Sequence, residues 1–177
     1  MKRRVLVSFF NCYLPTDKGE TSEIDLMMLY ASGVFVFESK NYSGWIFGSE
    51  DGKNWTQSLP EGKKNRKEHF YNPIKQNQTH IKWLKKQIGE ETMCHSIIVF
   101  SERCTLKKIE LVSDVVKVIK RDRVKATVKD ITEKSGDVLS NDEIQKIYEK
   151  LYPYTQASDE IKAMHIEDID KKKNNMC

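Results

Sequence analysis

Long apolar runs are missing from this chain: no stretch approaches the roughly 18 to 20 residues that a membrane-spanning helix needs. No membrane partner is therefore expected. Paired cysteines are missing as well. Cys12, Cys94, Cys104 and Cys177 are scattered, with no Cys-x-x-Cys pair and no matching histidine spacing, which excludes the usual structural zinc pattern. Free thiols in a reducing cytosol are the simpler expectation, and the localisation read from them is cytoplasmic. A Gly-rich phosphate loop, an internal repeat and a Ser-His-Asp or Cys-His arrangement are all absent, so neither P-loop nor covalent nucleophilic chemistry has a motif here. The N-terminal Lys2-Arg3-Arg4 followed by apolar residues has the look of a signal peptide. Its apolar run stops at Asn11 with no small-residue cleavage site behind it, so residues 5–10 read as a first strand.

What is present fits one domain, or one domain with a small appendage. A chain of 177 residues can bury a real core, and a net charge of +4 with pI near 8.7 suits phosphate-bearing partners without specifying them.

The most informative segment is 22–40. Val34 to Phe37 has the β-branched and aromatic content of a strand, and period-two geometry puts Val34, Val36, Glu38 and Lys40 on one face. Ile24 to Leu29 is a second apolar strand. The linker Tyr30-Ala31-Ser32-Gly33 is short enough for an antiparallel hairpin, which brings Asp25 toward Glu38 across the sheet. Both strands are apolar on both faces and should be covered on both sides, where an unpaired carboxylate costs several kcal/mol. Such a carboxylate needs a cation. Two oxygen ligands plus waters suit Mg²⁺ or Mn²⁺, with Lys40 orienting a water or stabilising developing charge. The same spacing also fits an ordinary ion pair between Glu38 and Lys40 at a strand end, with Asp25 satisfied by a backbone amide.

The wider context is a family resemblance. Glu23-Ile24-Asp25, the run from Gly33 to Gly48 with Glu38-Ser39-Lys40 inside it, Trp55-Thr56-Gln57 and Phe70 to Asn77 together resemble the nuclease-related domain, over residues 5–100. That family sits within the PD-(D/E)xK nucleases. The resemblance implies an α/β fold, a mixed β-sheet flanked by helices, and Mg²⁺- or Mn²⁺-dependent hydrolysis of phosphodiesters in DNA. It makes Asp25 and Glu38 the metal-binding acids, Lys40 the catalytic lysine, and Gln76 the glutamine kept near the site. One departure stands out: the family's N-terminal helix with a further glutamate has no counterpart, and Glu20 or Glu23 would have to supply a third acidic contact. Without that helix one sheet face is expected to be open, at Val5, Val7 and Phe9 or at Leu6 and Phe10, inviting a homodimer or partner chain. A non-catalytic module that keeps the fold and binds nucleic acid or protein, or an inactive truncated form, is the alternative.

The expected organisation is a nuclease-like domain over 1–135, a helical extension over 136–170 and a flexible basic tail over 171–177. Residues 53–69, with Lys63, Lys64, Arg66 and Lys67, read as a basic loop, either solvated or touching the nucleic-acid backbone. Asn72-Pro73 opens a helix on which Ile74, Ile81, Leu84 and Ile88 form a stripe and Gln76 and His80 share a flank. Asn77 falls inside the stripe, to cap a sheet carbonyl or to order the carboxylates. Trp45 and Trp55 are candidates for base stacking or for packing. Residues 96–100 and 115–119 read as strands of one longer sheet, and 121–133 as a helix. Ser140 to Glu143 is a capping box, and 159–168 reads as a last helix carrying no motif.

Overall fold

The computed structural model describes residues 5–61 and 64–174. Among the described residues nine strands and four α-helices follow in order: β1 (Val7–Pro15), β2 (Thr21–Tyr30), β3 (Gly33–Lys40), β4 (Gly44–Ser49), β5 (Asn54–Glu61), β6 (Lys64–Tyr71), α1 (Pro73–Ile88), β7 (Cys94–Phe100), β8 (Cys104–Glu110), β9 (Val116–Lys120), α2 (Val124–Ser135), α3 (Asn141–Leu151) and α4 (Asp159–Asn174). The protein is α/β, with mixed sheets flanked by helices. The strands do not form one long sheet. They divide into a five-stranded sheet of order β1-β2-β3-β7-β9 and a four-stranded sheet of order β6-β5-β4-β8.

The hairpin read at 22–40 is β2 and β3, antiparallel with Tyr30 opposite Gly33. Gly33 has φ +119°, and a Cβ there would meet the Met93 carbonyl at 2.8 Å, so only glycine fits this turn. β3 pairs in parallel with β7, and β7 with β9. Both faces of the first sheet are covered around β3, as its apolar content requires. α1 and α3 bring Leu84, Ile88, Ile144, Ile147 and Leu151 onto one face, against Met27, Leu29, Val34 and Val36. α2 brings Ile131 onto the other, against Phe35, Phe37, Ile97 and Val99. A third cluster, with Ile46, Trp55, Ile74 and Phe100, joins the second sheet to the start of α1 and to β7. Trp55 is therefore packing, stacked 5.9 Å from Phe100. Cys12 and Cys104 are buried among apolar neighbours, and burial pushes the Cys12 thiol up to about 12.

Helix ends follow their sequence signals. Asn72 caps α1 through Ile74 N–H at 2.9 Å, and Ser140 and Glu143 close a capping box on α3. The structure corrects three expectations. The segment expected as a basic loop is the β5–β6 hairpin, paired from Asn54–Tyr71 to Glu61–Lys64. Residues 171–174, expected in a flexible tail, belong to α4, while 175–177 lie outside the described residues. β8 was not anticipated at all. At the N-terminal strand Phe9 is covered, stacked on Tyr148, while Leu6 and Phe10 are 58% and 65% exposed. No helix precedes β1 among the described residues, and none there is long and apolar enough to cross a membrane.

Candidate active site

The pairing of β2 with β3 ends at Leu26–Phe37. Beyond it β3 continues beside β7 through Lys40, and β2 continues beside β1 through Thr21. The two strands part, and Asp25 and Glu38 are the first residues on either side of the gap. Alternation also slips there. On β2 the buried residues are Ser22 and Ile24 on one side of Asp25 and Met27 and Leu29 on the other; on β1 they are Phe9 before Asn11 and Cys12 and Leu14 after it. Asn11, the one described non-glycine residue with positive φ (50°), marks the slip, and neither it nor Asp25 has a ladder partner in the β1–β2 register.

Four apolar residues, Val34 to Phe37, are 0–6% exposed. Each contributes about 1.5–3 kcal/mol of burial, and together they carry Glu38 to a depth where a lone carboxylate would be costly. Glu38 is not alone. Lys40 Nζ lies 2.7 Å from Oε1, and His80 Nε2 lies 3.3 Å from Oε2. Lys40 also donates to Gln76 Oε1 at 2.9 Å, and His80 Nδ1 is 2.7 Å from Ser22 Oγ. A single neutral tautomer satisfies both histidine contacts, with Ser22 donating to Nδ1 and Nε2–H donating to Glu38. Gln76 and His80 sit one helical turn apart on α1, so that helix carries the polar roof of the gap. Asn77, between them and fully buried, donates to the Val36 carbonyl at 3.0 Å and to Ser96 Oγ at 2.9 Å. It thus ties α1 to β3 two residues before Glu38, the sheet-capping role of its two expected ones.

The opposed carboxylates differ in electrostatics. Burial pushes Glu38 up, but the His80 hydrogen bond and the Lys40 ammonium outweigh it and leave the carboxyl below its usual value. Asp25 is held above its usual value by burial first, then by the charges of Glu38 and Glu23, with His80 and Lys40 only partly offsetting them. Asp25, Glu38, Lys40, Gln76 and His80 all line one cleft of about 540 Å³. Its far wall is a surprise: His165 and Ile169 of α4 complete it. His165 is buried, with Nδ1 2.9 Å from Thr21 Oγ1 and Nε2 3.3 Å from Glu23.

Sequence reasoning thus placed four residues that the fold brings together. His80 was placed on the flank of Gln76 but not among the site residues, and His165 carried no sequence signal. The expected nucleic-acid contacts lie elsewhere. Lys64, Arg66 and Lys67 are on exposed β6, outside the cleft, with Arg66 paired to Glu68 at 3.0 Å, and Lys63 lies outside the described residues. Among the described residues no three His, Cys, Asp or Glu side chains cluster as a metal site. The two opposed carboxylates nonetheless suit Mg²⁺ or Mn²⁺, since such ions take one or two carboxylates and complete their shell with water and phosphate.

The sequence pattern of the family described as nuclease-related domain matches residues 2–101. The chain is also 33% identical over 162 residues to an uncharacterized protein of Bacillus anthracis, covering 92% of this chain and 73% of that one. No solved structure matches it. Asp25, Glu38, Lys40, Gln76 and His80 all fall inside the family match, whereas His165 falls beyond it.

Proposed function

The chain belongs to the nuclease-related domain family, and from that premise we propose that it hydrolyses phosphodiester bonds in DNA with the help of Mg²⁺ or Mn²⁺. The observation that carries this reading is the Glu38–Lys40 pair at 2.7 Å, braced by Gln76 and set opposite Asp25 where two strands part. Asp25 and Glu38 would hold the metal through carboxylate oxygens. Bound there, the ion supplies an acidified water and offsets phosphate charge. Lys40 lies between Glu38 and Gln76, so its ammonium is positioned in advance for charge that builds on the scissile phosphate or for the attacking water. Gln76 fixes the lysine, and His80 with Ser22 fixes the Glu38 carboxylate from the other side.

Nicking of supercoiled DNA with Mg²⁺ or Mn²⁺, by the parent and by its Glu38→Ala and Lys40→Ala variants, tests the proposal. Activity lost in both variants supports it; a parent that binds DNA and metal but never nicks would sink it. One observation favours a second reading, a binding module that retains the fold. Both Glu38 oxygens are already engaged by the chain's own Lys40 and His80. Under that reading Glu38→Ala leaves DNA binding intact and the parent is inert.

A further inference from the structure

The second sheet has one face that the cleft does not use. Ile46 of β4 points into the core, so Trp45 points away from it, and the register carries Ser58, Lys67 and Thr105 onto the same row as Trp45. The next row holds Phe47, Thr56 and His69. None of the three core clusters lies on this face, and Trp45 is 45% exposed. A register shift in β8 opposite Ile46 and Phe47 leaves Lys107 without a ladder partner, and its ammonium lies 4.8 Å from the Trp45 ring centroid. Beside the indole a cavity of about 300 Å³ is lined by Trp45, Asn65, Arg103 and Thr105. Arg103 is exposed but anchored, donating through Nη2 to the carbonyl and Oδ1 of Asn41, in the short turn that joins Lys40 to β4.

We infer that this face is a platform for single-stranded nucleic acid, with one base stacking on Trp45 and Arg103, Lys107 and Lys67 taking the adjoining phosphates. This rests on the nuclease reading above and narrows its substrate to a strand whose bases are free to leave the duplex. An exposed indole ringed by cations is complementary to a stacked base with its phosphates, and every base offers a face for such stacking. The Lys107–Trp45 contact does not bar the way, because an exposed cation–π contact is worth less than base-on-indole stacking. The released ammonium then has a phosphate to meet. A duplex offers no free base face to Trp45 and should bind more weakly.

The test is anisotropy of a labelled oligothymidylate, alone and annealed to oligoadenylate, with the parent chain and with Trp45→Ala, Trp45→Phe and Lys67→Ala. The single strand should bind more tightly than the duplex. Trp45→Ala should lose about tenfold or more in affinity with an unchanged melting temperature, and Trp45→Phe should recover most of it. Lys67→Ala should lower the salt slope by roughly 0.7. Cleavage is scored separately, which separates the two proposals: a parent that never cleaves but needs Trp45 to bind keeps the platform and loses the nuclease. Parental affinity in Trp45→Ala, equal or tighter duplex binding, or no binding of the oligonucleotide overturns the inference.

Discussion

The two walls of the cleft are built to different standards. On the β3 wall, Glu38 is 4% exposed, both its oxygens are engaged, and α1 is tied down by the wholly buried Asn77. On the β2 wall Asp25 lies past the end of the ladder to β3, with two other carboxylates near enough to raise its pKa, and the neighbouring Glu23 is met by a helix from far along the chain. One wall is held by its own lysine and histidine; on the other, burial first and then the neighbouring carboxylates raise the Asp25 carboxyl. The difference teaches that one cleft can set a carboxylate neutralised by its own lysine and histidine opposite one whose surroundings favour the proton.

The largest expected effect comes from breaking the ordered wall. Under the proposed function Glu38→Ala removes a carboxylate that would hold the metal, together with the partner of Lys40 and His80, and plasmid nicking should fall by about 100-fold or more. The contrast itself is sharpened by thermal unfolding of the metal-free protein. Because the folded Glu38 carboxyl is lowered, its stabilisation is full at neutral pH and is lost as pH falls through the folded value. Glu38→Gln should therefore lower the melting temperature at neutral pH, and by less in acid. Asp25 has the opposite sign: the folded state holds its proton more tightly, so its penalty grows as pH rises past the unfolded value. Asp25→Asn should raise the melting temperature at neutral pH, and that gain should vanish in acid. Two melting shifts of the same sign at neutral pH would refute the contrast. A smaller loss is expected from Gln76→Ala, about tenfold in cleavage rate, because Lys40 keeps Glu38 but loses its second anchor. Least affected should be His165→Ala, with cleavage within about threefold of the parent. Its cost of about 1 kcal/mol falls on the docking of α4, and limited proteolysis should then cut residues 159–174 sooner.

How much of this was legible depends on how each element is buried. Glu38 and Lys40 were readable because β3 is a strand and period two admits no other facing. Asp25 followed from the hairpin, although its exact position depends on a slip of alternation at Asn11 that no composition signals. Gln76 came from the family resemblance, and His80 lay in view four residues on. The second sheet was illegible for a physical reason. Lys64–Tyr71 is exposed at seven of its eight positions, so β6 has no apolar face to show a period, and its lysines with Pro60 and Gly62 look like a loop. β8 is similarly polar outside Cys104, Leu106 and Ile109. α4 carries no strong apolar stripe and reaches the cleft through a histidine, a contact between residues 144 apart that local pattern does not encode.

That last contact has a consequence for how the protein comes into being. Chains emerge from the ribosome N-terminus first, at about 5–20 residues per second. β1 to β9, together with Asp25, Glu38, Lys40, Gln76 and His80, are complete before His165 has been translated. The nascent chain can thus assemble its acids and lysine with one side of the cleft still open, and α4 arrives seconds later to close it. A chain ending between α3 and α4 would carry Asp25, Glu38, Lys40, Gln76 and His80 without the wall that His165 and Ile169 complete.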